Sequence, residues 1–103
     1  MIRYRMVTTA VYGKAREVID ALQQIDALCE ERGWARWNAL APVAGNNNEF
    51  VVESDYPDLA SFEAENKAQL TDPDFMKLFR GMSDDIYPQS SRTELLESVY
   101  QIA

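Results

Sequence analysis

Several arginine and glutamate residues of this sequence have a spacing that suggests chemistry. Arg3 and Arg5 stand two residues apart in an alternating stretch, so both side chains point to the same face of a strand. Paired guanidinium groups can bind a carboxylate or phosphate through bidentate hydrogen bonds. The other members of this charged set are Arg36, Glu53, Glu94 and Glu97. One interpretation is a site that binds an anionic substrate. The other, which we favour, is a network of ion pairs across neighbouring strands or between two copies of the chain.

Histidine is absent from the 103 residues, and this absence excludes several classes of active site. It removes the commonest general base and the commonest metal ligand. Zinc, haem and non-haem iron sites ligated by histidine are excluded, as are Ser-His-Asp and Cys-His catalysis. A single cysteine, Cys29, cannot hold a zinc ion or an iron–sulfur cluster. We therefore expect neither a metal nor a cofactor.

Tyrosine is the remaining side-chain type that could supply an acid to a pocket. The candidates are Tyr4, Tyr12, Tyr56, Tyr87 and Tyr100. Each also fits a packing role with its hydroxyl at a polar boundary, which is the interpretation we favour. Cys29 falls on an apolar helical stripe, so we expect a buried, unreactive thiol rather than a nucleophile.

Composition restricts the partners that this chain can have. Acidic residues outnumber basic ones by 17 to 10, giving a net charge of −7. That balance argues against binding nucleic acid or an anionic membrane surface. The sequence shows no run near the roughly 20 apolar residues of a membrane span, and no apolar signal segment. With one cysteine, we expect a reducing, cytoplasmic location.

The pattern of elements predicts the scaffold for these residues. Residues 34–44 and 49–56 are extended runs that flank the turn formers Gly45 to Asn48, which indicates a β-hairpin. A strand is predicted over residues 2–12, and a helix from Lys14 to the terminating Gly33. A last strand is predicted over residues 92–102.

The second helical region is predicted to consist of two short helices. Asp55 is a plausible N-cap ahead of Pro57, and the Asp72-Pro73 pair interrupts the pattern, with Thr71 or Asp72 capping a new helix. The apolar stripe of this second helix is Phe75, Leu78, Phe79, Met82 and Ile86. The order β-α-β-β-α-β predicts one α+β domain over residues 1–103, with the ferredoxin-like arrangement.

Apolar residues on both faces of the predicted sheet indicate a homodimer. If helices cover one face, residues such as Val7, Val51, Leu95 and Val99 would otherwise meet water. At about 25 cal/mol per Å² of apolar area, covering four such side chains contributes several kcal/mol. We therefore expect a second copy of the chain to pack on the sheet. In the predicted strand order, Arg3 and Arg5 would meet Glu53 and Glu97.

The second half of the chain resembles a known superfamily. The run Y-P-D-L-A-S-F-E-A-E-N-K-A-Q-L-T-D-P-D-F-M-K-L-F, with S-S-R-T-E-L-L-E-S-V after it, resembles the dimeric α/β-barrel proteins, most closely the NIPSNAP family. Residues 49–100 carry this likeness, and the first half matches in element order. It implies a homodimer of face-to-face sheets, with a ligand between sheet and helices. Relatives include antibiotic-biosynthesis-monooxygenase-like enzymes and haem degraders. The haem degraders ligate iron through a histidine, so their activity does not carry over.

The resemblance also implies a candidate site. Monooxygenases of this superfamily use asparagine, tryptophan and tyrosine instead of a metal. Asn38, beside Trp37, would then stabilise an oxyanion, and Asn66 would point into the same pocket. The candidate ligand-binding residues are Trp34, Phe62, Tyr4 and Arg36. The alternative is that Asn38 faces solvent or the dimer interface and that both tryptophans are packing residues.

Three functions remain open from the sequence. The first is a NIPSNAP-like protein that binds a small aromatic or apolar molecule. The second is a cofactor-independent monooxygenase acting on a phenol or quinol. The third is a structural or assembly role without a ligand. A pocket lined by Asn38, Trp37, Phe62 and Asn66 would favour the monooxygenase, and a gap filled by side chains would favour the structural role.

Overall fold

The computed structural model describes residues 1–100, which form a four-stranded antiparallel sheet and three helices. The elements are β1 (Ile2–Thr9), α1 (Ala15–Arg32), β2 (Asn38–Leu40), β3 (Glu49–Tyr56), α2 (Leu59–Thr71), α3 (Pro73–Ser83) and β4 (Arg92–Glu97). The strand order is β2-β3-β1-β4, so β1 lies between the third and fourth strands. This is the predicted ferredoxin-like arrangement with a split second helix, and the prediction is confirmed.

The pleat of β1 sorts its side chains between two faces of the sheet. Met6 and Thr8 point to the helices and are buried in the core. Residues directly opposite each other in an antiparallel ladder share a face of the sheet. The strand register therefore identifies the residues on the second face, which points away from the helices. We call it the outer face. Its members are Arg3, Arg5, Val7 and Thr9 of β1, Asn38 and Leu40 of β2, Glu49, Val51, Glu53 and Asp55 of β3, and Arg92, Glu94 and Leu96 of β4.

Helix α1 packs on the sheet through the predicted stripe. Val18, Leu22, Ile25 and Cys29 are all buried. The helix ends at Gly33, which adopts φ 73°, as predicted for a left-handed C′ residue. The Gly33 N–H donates to the Glu30 carbonyl at 3.2 Å, and the Trp34 N–H donates to the Cys29 carbonyl at 2.8 Å. This reversal directs the chain from the helix end back towards the sheet.

Asp72 ends α2 and begins α3. Its Oδ1 accepts from the backbone N–H groups of Asp74 (2.9 Å) and Phe75 (3.1 Å), which confirms Asp72 as the cap. Its Oδ2 accepts from Arg32 Nε at 2.9 Å. The predicted cap of α2 was wrong: Asp58 is the N-cap and accepts from the Ser61 N–H at 2.8 Å.

The strands differ in length from the prediction, most of all in the hairpin. The first hairpin strand covers three residues, Asn38–Leu40, instead of beginning at residue 34. The preceding backbone bonds to side chains rather than to a ladder: Ala35 N–H donates to Glu65 Oε1 at 2.8 Å, and Trp37 N–H donates to Asp26 Oδ1 at 2.9 Å. Two carboxylates therefore satisfy donors that a longer strand would have paired.

The terminal strands are also shorter than predicted. Strand β1 ends at Thr9, and Ala10 forms a single bridge with Ile86. Strand β4 ends at Glu97, and residue 102, the predicted strand end, lies outside the described residues. Leu95 lies opposite Tyr4 and so faces the helices, not the outer face with Val7. No helix within residues 1–100 is both long and apolar enough to span a bilayer.

Replacing Gly33 with alanine tests the helix C-terminus. At φ 73° a Cβ is disfavoured, and because nothing lies within 4 Å of it the cost is backbone strain alone. We expect Gly33→Ala to lower the free energy of unfolding by about 1–2 kcal/mol. Gly81→Ala, inside α3 and equally uncrowded, is the matched control and should raise it by about 0.5–1 kcal/mol. Urea denaturation measures both, and effects of equal sign would contradict this account.

Candidate functional site

A cavity of about 120 Å³ lies between the sheet and helices α2 and α3. Most of the residues that line it are aromatic. The complete set of lining residues is Tyr4, Trp37, Tyr56, Phe62, Asn66, Gln69, Leu70, Phe75, Met76 and Phe79. We call this space the aromatic cavity. Because side chains of the sheet and both helices contribute to it, the cavity depends on the packing of the two layers.

Ring–ring contacts fix the walls of the aromatic cavity. Phe62 stacks on Tyr4 with ring centroids 5.8 Å apart and meets Tyr56 edge-on at 5.3 Å. On the other side, Trp37 meets Phe75 edge-on at 5.9 Å. These separations and angles are the favourable ones for aromatic pairs, which adds about 0.5–1.5 kcal/mol per pair beyond area burial. These ring contacts therefore fix the shape of the cavity walls.

The aromatic cavity also contains an unsatisfied hydrogen-bond donor. Gln69 is 8% exposed, and its Nε2 has no hydrogen-bond partner within residues 1–100. Buried polar groups in native proteins are normally paired, because leaving one unpaired costs about 1–3 kcal/mol. The Gln69 amide therefore retains one donor that no group of the described residues satisfies.

Two tyrosine hydroxyls at the cavity remain protonated at neutral pH. Burial raises the pKa of Tyr4 above its ordinary value of 10. Burial also raises the pKa of Tyr56 far above 10, and the neighbouring Glu65 carboxylate adds to this shift. Oε2 of Glu65 is buried and has no hydrogen-bond partner within the described residues. The Tyr56 hydroxyl nevertheless lies close enough to the Glu65 carboxylate to interact with it. Both phenols can therefore act as hydrogen-bond donors, not as anions.

Asp26 positions Trp37 in the cavity wall. Besides the Trp37 N–H, its carboxylate accepts from Arg36 Nε at 2.8 Å and from Arg36 Nη2 at 2.7 Å. The Arg36 guanidinium lowers the pKa of Asp26, and the Trp37 N–H adds to the effect. Arg36 also lies 3.2 Å from Glu30 Oε2. The predicted ligand-binding role of Arg36 is not supported by its position, because its charge is engaged on α1.

The structure brings together four of the residues that the sequence singled out. Tyr4, Trp37, Phe62 and Asn66 all line the aromatic cavity. Trp34 lies behind the wall, edge-on to Phe75 at 6.1 Å. Asn38 does not contribute, because it lies opposite Glu53 on the outer face and is exposed.

Gln69 and the aromatic residues of α3 were not proposed as site residues. Gln69 follows Asn66 by three residues and Phe62 by seven, which places all three on one side of α2. That spacing was visible in the sequence. The approach of Phe75 and Phe79 from α3 was not, because it depends on how the two helices meet after Asp72.

The arginines of β1 form ion pairs on the outer face. Arg5 Nε lies 2.8 Å from Glu53 Oε2, and Arg3 Nε lies 2.8 Å from Asp55 Oδ1. Glu94 lies 3.8 Å from Arg5. Glu97, the predicted partner, is opposite Ile2 and so lies on the helix face. The charged set is a cross-strand network, with Asp55 in the place expected for Glu97.

Comparison with known proteins identifies the fold. No protein-family model and no curated protein sequence matches the chain. An uncharacterized NIPSNAP domain protein from Burkholderia xenovorans superposes over 100% of both chains, with TM-score 0.80 and 16% identity. A NIPSNAP family protein from Agrobacterium tumefaciens matches 93% of this chain and 90% of its own, with TM-score 0.75 and 15% identity. The chain shares the NIPSNAP fold.

An enzyme has the same architecture. SnoaB, a cofactor-independent oxygenase from Streptomyces nogalater, matches 98% of this chain and 95% of its own, with TM-score 0.75 and 16% identity. The resemblance in fold that the sequence predicted, to NIPSNAP proteins and to monooxygenase-like relatives, is confirmed. At these identities the likeness concerns the architecture, and the site must be argued from this chain's own residues.

The ion pair of Asp26 predicts a pH-dependent contribution to stability. Its pKa in the folded state is lowered from 3.8, so the contribution is present above that value and is lost as the pH falls through the folded pKa. We expect Asp26→Asn to lower the free energy of unfolding at pH 7 by about 1 kcal/mol, a modest value because the side chain is 25% exposed. The deficit should shrink progressively as the pH falls below the ordinary aspartate pKa of about 3.9.

Urea denaturation at several pH values checks this expectation. Asp20→Asn on the same helix is the control, because Asp20 has no ion pair within residues 1–100. A deficit of Asp26→Asn that stays constant from pH 7 to pH 2 would show that the loss is not electrostatic.

Proposed function

We propose that this protein binds a small aromatic molecule that carries a hydrogen-bond acceptor, in the aromatic cavity. The observation that carries this proposal is Gln69, which lines a cavity rich in aromatic rings and whose buried Nε2 has no hydrogen-bond partner within residues 1–100. A ligand oxygen would satisfy this donor. The cost of leaving the amide unpaired in the empty protein is recovered on binding.

The size and walls of the cavity support a ligand with one ring. A volume of about 120 Å³ is close to the ~150 Å³ of an engineered apolar cavity that takes up benzene. Phe62, Trp37 and Phe75 present ring faces and edges to the space. Pockets of this kind combine an apolar lining with a few polar groups that fix the orientation of the ligand. A phenol meets both requirements.

A second candidate is a cofactor-independent monooxygenase that acts on a phenol or quinol. The fold shared with SnoaB supports it, as does the presence of Trp37 and Asn66 at the same cavity. Asn38 cannot stabilise an oxyanion there, since it lies on the outer face. That task would fall to the Gln69 amide and the neutral phenol of Tyr4, because the Tyr56 hydroxyl is engaged by Glu65. A purely structural role fits less well, because the gap is not filled by side chains.

Replacing Gln69 with leucine tests the binding proposal. The change keeps the volume but removes the unpaired donor, so we expect the free energy of unfolding to rise by about 1 kcal/mol. Affinity for phenol should fall about tenfold, the equivalent of one hydrogen bond, while affinity for toluene stays unchanged. Calorimetric titration and urea denaturation measure these quantities. Gln24→Leu, an exposed position of α1, is the control.

Two outcomes would overturn the proposal. One is the absence of phenol binding to the unmodified protein, and the other is phenol affinity unchanged in Gln69→Leu. Oxygen uptake, measured with the same phenols and with quinols, distinguishes binding from oxygenation. Consumption of oxygen with turnover of the quinol would establish the monooxygenase.

We also propose that the outer face packs against a second copy of the chain. Leu40, which lies opposite Val51, is 45% exposed there, and Leu96, which lies opposite Arg3, is 39% exposed. The face carries three arginines and four carboxylates, so it contributes one of the chain's seven net negative charges. Repulsion between two such faces is therefore small, and their apolar rows favour contact at about 25 cal/mol per Å².

Replacing Val51 with lysine tests the dimer. Each subunit would bring an unpaired charge into the interface, which costs about 3–5 kcal/mol when a charge is buried without a partner. We expect the dissociation constant to rise at least 100-fold, measured by sedimentation equilibrium. Val43→Lys, in the exposed loop after β2, should leave the dimer intact. A wild-type chain that is monomeric at micromolar concentration would contradict the proposal.

A further inference from the structure

A groove on the protein surface adjoins the aromatic cavity at the junction of α2 and α3. It is lined by Leu70, Thr71, Asp72, Pro73, Met76, Lys77 and Arg80. We call it the helix groove. Leu70 and Met76 line both spaces, so these two side chains form the boundary between them. The exposed residues of the cavity lining, Asn66 and Leu70, lie on this side. The aromatic cavity and the helix groove are therefore adjacent, separated by Leu70 and Met76.

The helix groove carries two cations, of which Lys77 also lines a second depression together with Glu17 and Asp20 of α1. Lys77 and Arg80 form no ion pair within residues 1–100. They stand three residues apart on α3, a spacing that brings their Cβ atoms to within about 5–6 Å on one side of a helix. The one acidic residue that lines the groove is Asp72, and its carboxylate is occupied by Arg32 and by backbone N–H groups of α3.

We propose that the natural ligand of the aromatic cavity is an aromatic carboxylate, with its ring in the cavity and its carboxylate in the helix groove. The proposal rests on the proposed function and adds the chemical class of the ligand. About 120 Å³ accommodates one ring, so a charged substituent must lie outside the cavity. The helix groove, lined by Lys77 and Arg80, is the neighbouring space on the other side of Leu70 and Met76. Both can form charge-assisted hydrogen bonds to a carboxylate, and the arginine can do so in a bidentate manner.

The magnitude of this preference is modest because the groove is open to solvent. Exposed ion pairs contribute about 0.2–1 kcal/mol each. Two cations then favour an anion over its neutral analogue by about fivefold. The chain's net charge of −7 acts in the opposite direction at long range, so a measured preference for an anion would report on these two side chains.

Benzoate and benzyl alcohol provide the test, because they share the ring and differ in the charge of a one-carbon substituent. In calorimetric titrations at low salt, we expect the protein to bind benzoate about fivefold more tightly. The double variant Lys77→Gln/Arg80→Gln should lose this preference and keep its affinity for benzyl alcohol. Lys14→Gln/Arg16→Gln at the start of α1 changes the net charge by the same amount and should keep the preference. Raising the salt to 0.5 M should reduce the preference, since exposed charges are screened.

Every result other than the expected one rejects a specific claim. Benzyl alcohol binding without a benzoate preference, or a preference that survives in Lys77→Gln/Arg80→Gln, rejects the carboxylate proposal and leaves the binding function standing. Failure of both ligands to bind rejects the binding function and this inference with it. If the double variant does not fold, the single variants Lys77→Gln and Arg80→Gln decide the matter, since each should lower the preference about twofold.

Discussion

The alternation of side chains along β1 is the constraint on which the rest of the structure depends. This strand has a neighbour on each side, so its backbone is committed to both ladders and its register cannot shift without losing both. Tyr4 and Met6 must then face the helices, while Arg3 and Arg5 must face away. One short strand thus supplies a wall of the aromatic cavity on one side and the centre of the ion-pair network on the other.

The cavity results from a second constraint, the need to satisfy backbone donors outside the sheet. Between Gly33 and Asn38 the chain has no ladder partner, and the N–H groups of Ala35 and Trp37 are taken by Glu65 from α2 and Asp26 from α1. The Trp37 ring packs edge-on against Phe75. Phe62 of α2 packs against Tyr4 and Tyr56 of the sheet, and this ring spacing keeps the helix backbone away from the strands. The result is a small preformed space rather than a filled core.

Local signals in the sequence predicted the fold well. The apolar stripe of α1, Gly33 and Asp72 are each decided by interactions within a few residues, and each was found as predicted. The first strand was also found, although it ends at Thr9 and not at residue 12. The early start of the hairpin strand was wrong, because the backbone before Asn38 and the Arg36 side chain bond to carboxylates distant in sequence. Asp26 lies 10 residues from Arg36, and Glu65 lies 30 residues from Ala35. Periodicity carries no information about such partners. The cavity was predicted in part, because Phe62 and Asn66 share a face of α2. The contribution of α3 could not be predicted, because it depends on the angle between α2 and α3 at Asp72.

The Asp72 carboxylate couples the local unfolding of two helix ends. One carboxylate caps α3 and receives Arg32 from the end of α1, while Arg32 also reaches Asp74 at 2.7 Å. The C-terminus of the first helix and the N-terminus of the last are therefore joined through a shared charge. Fraying at either end removes support from the other, so amide protons in these two turns should exchange as one cooperative unit rather than as independent helix ends.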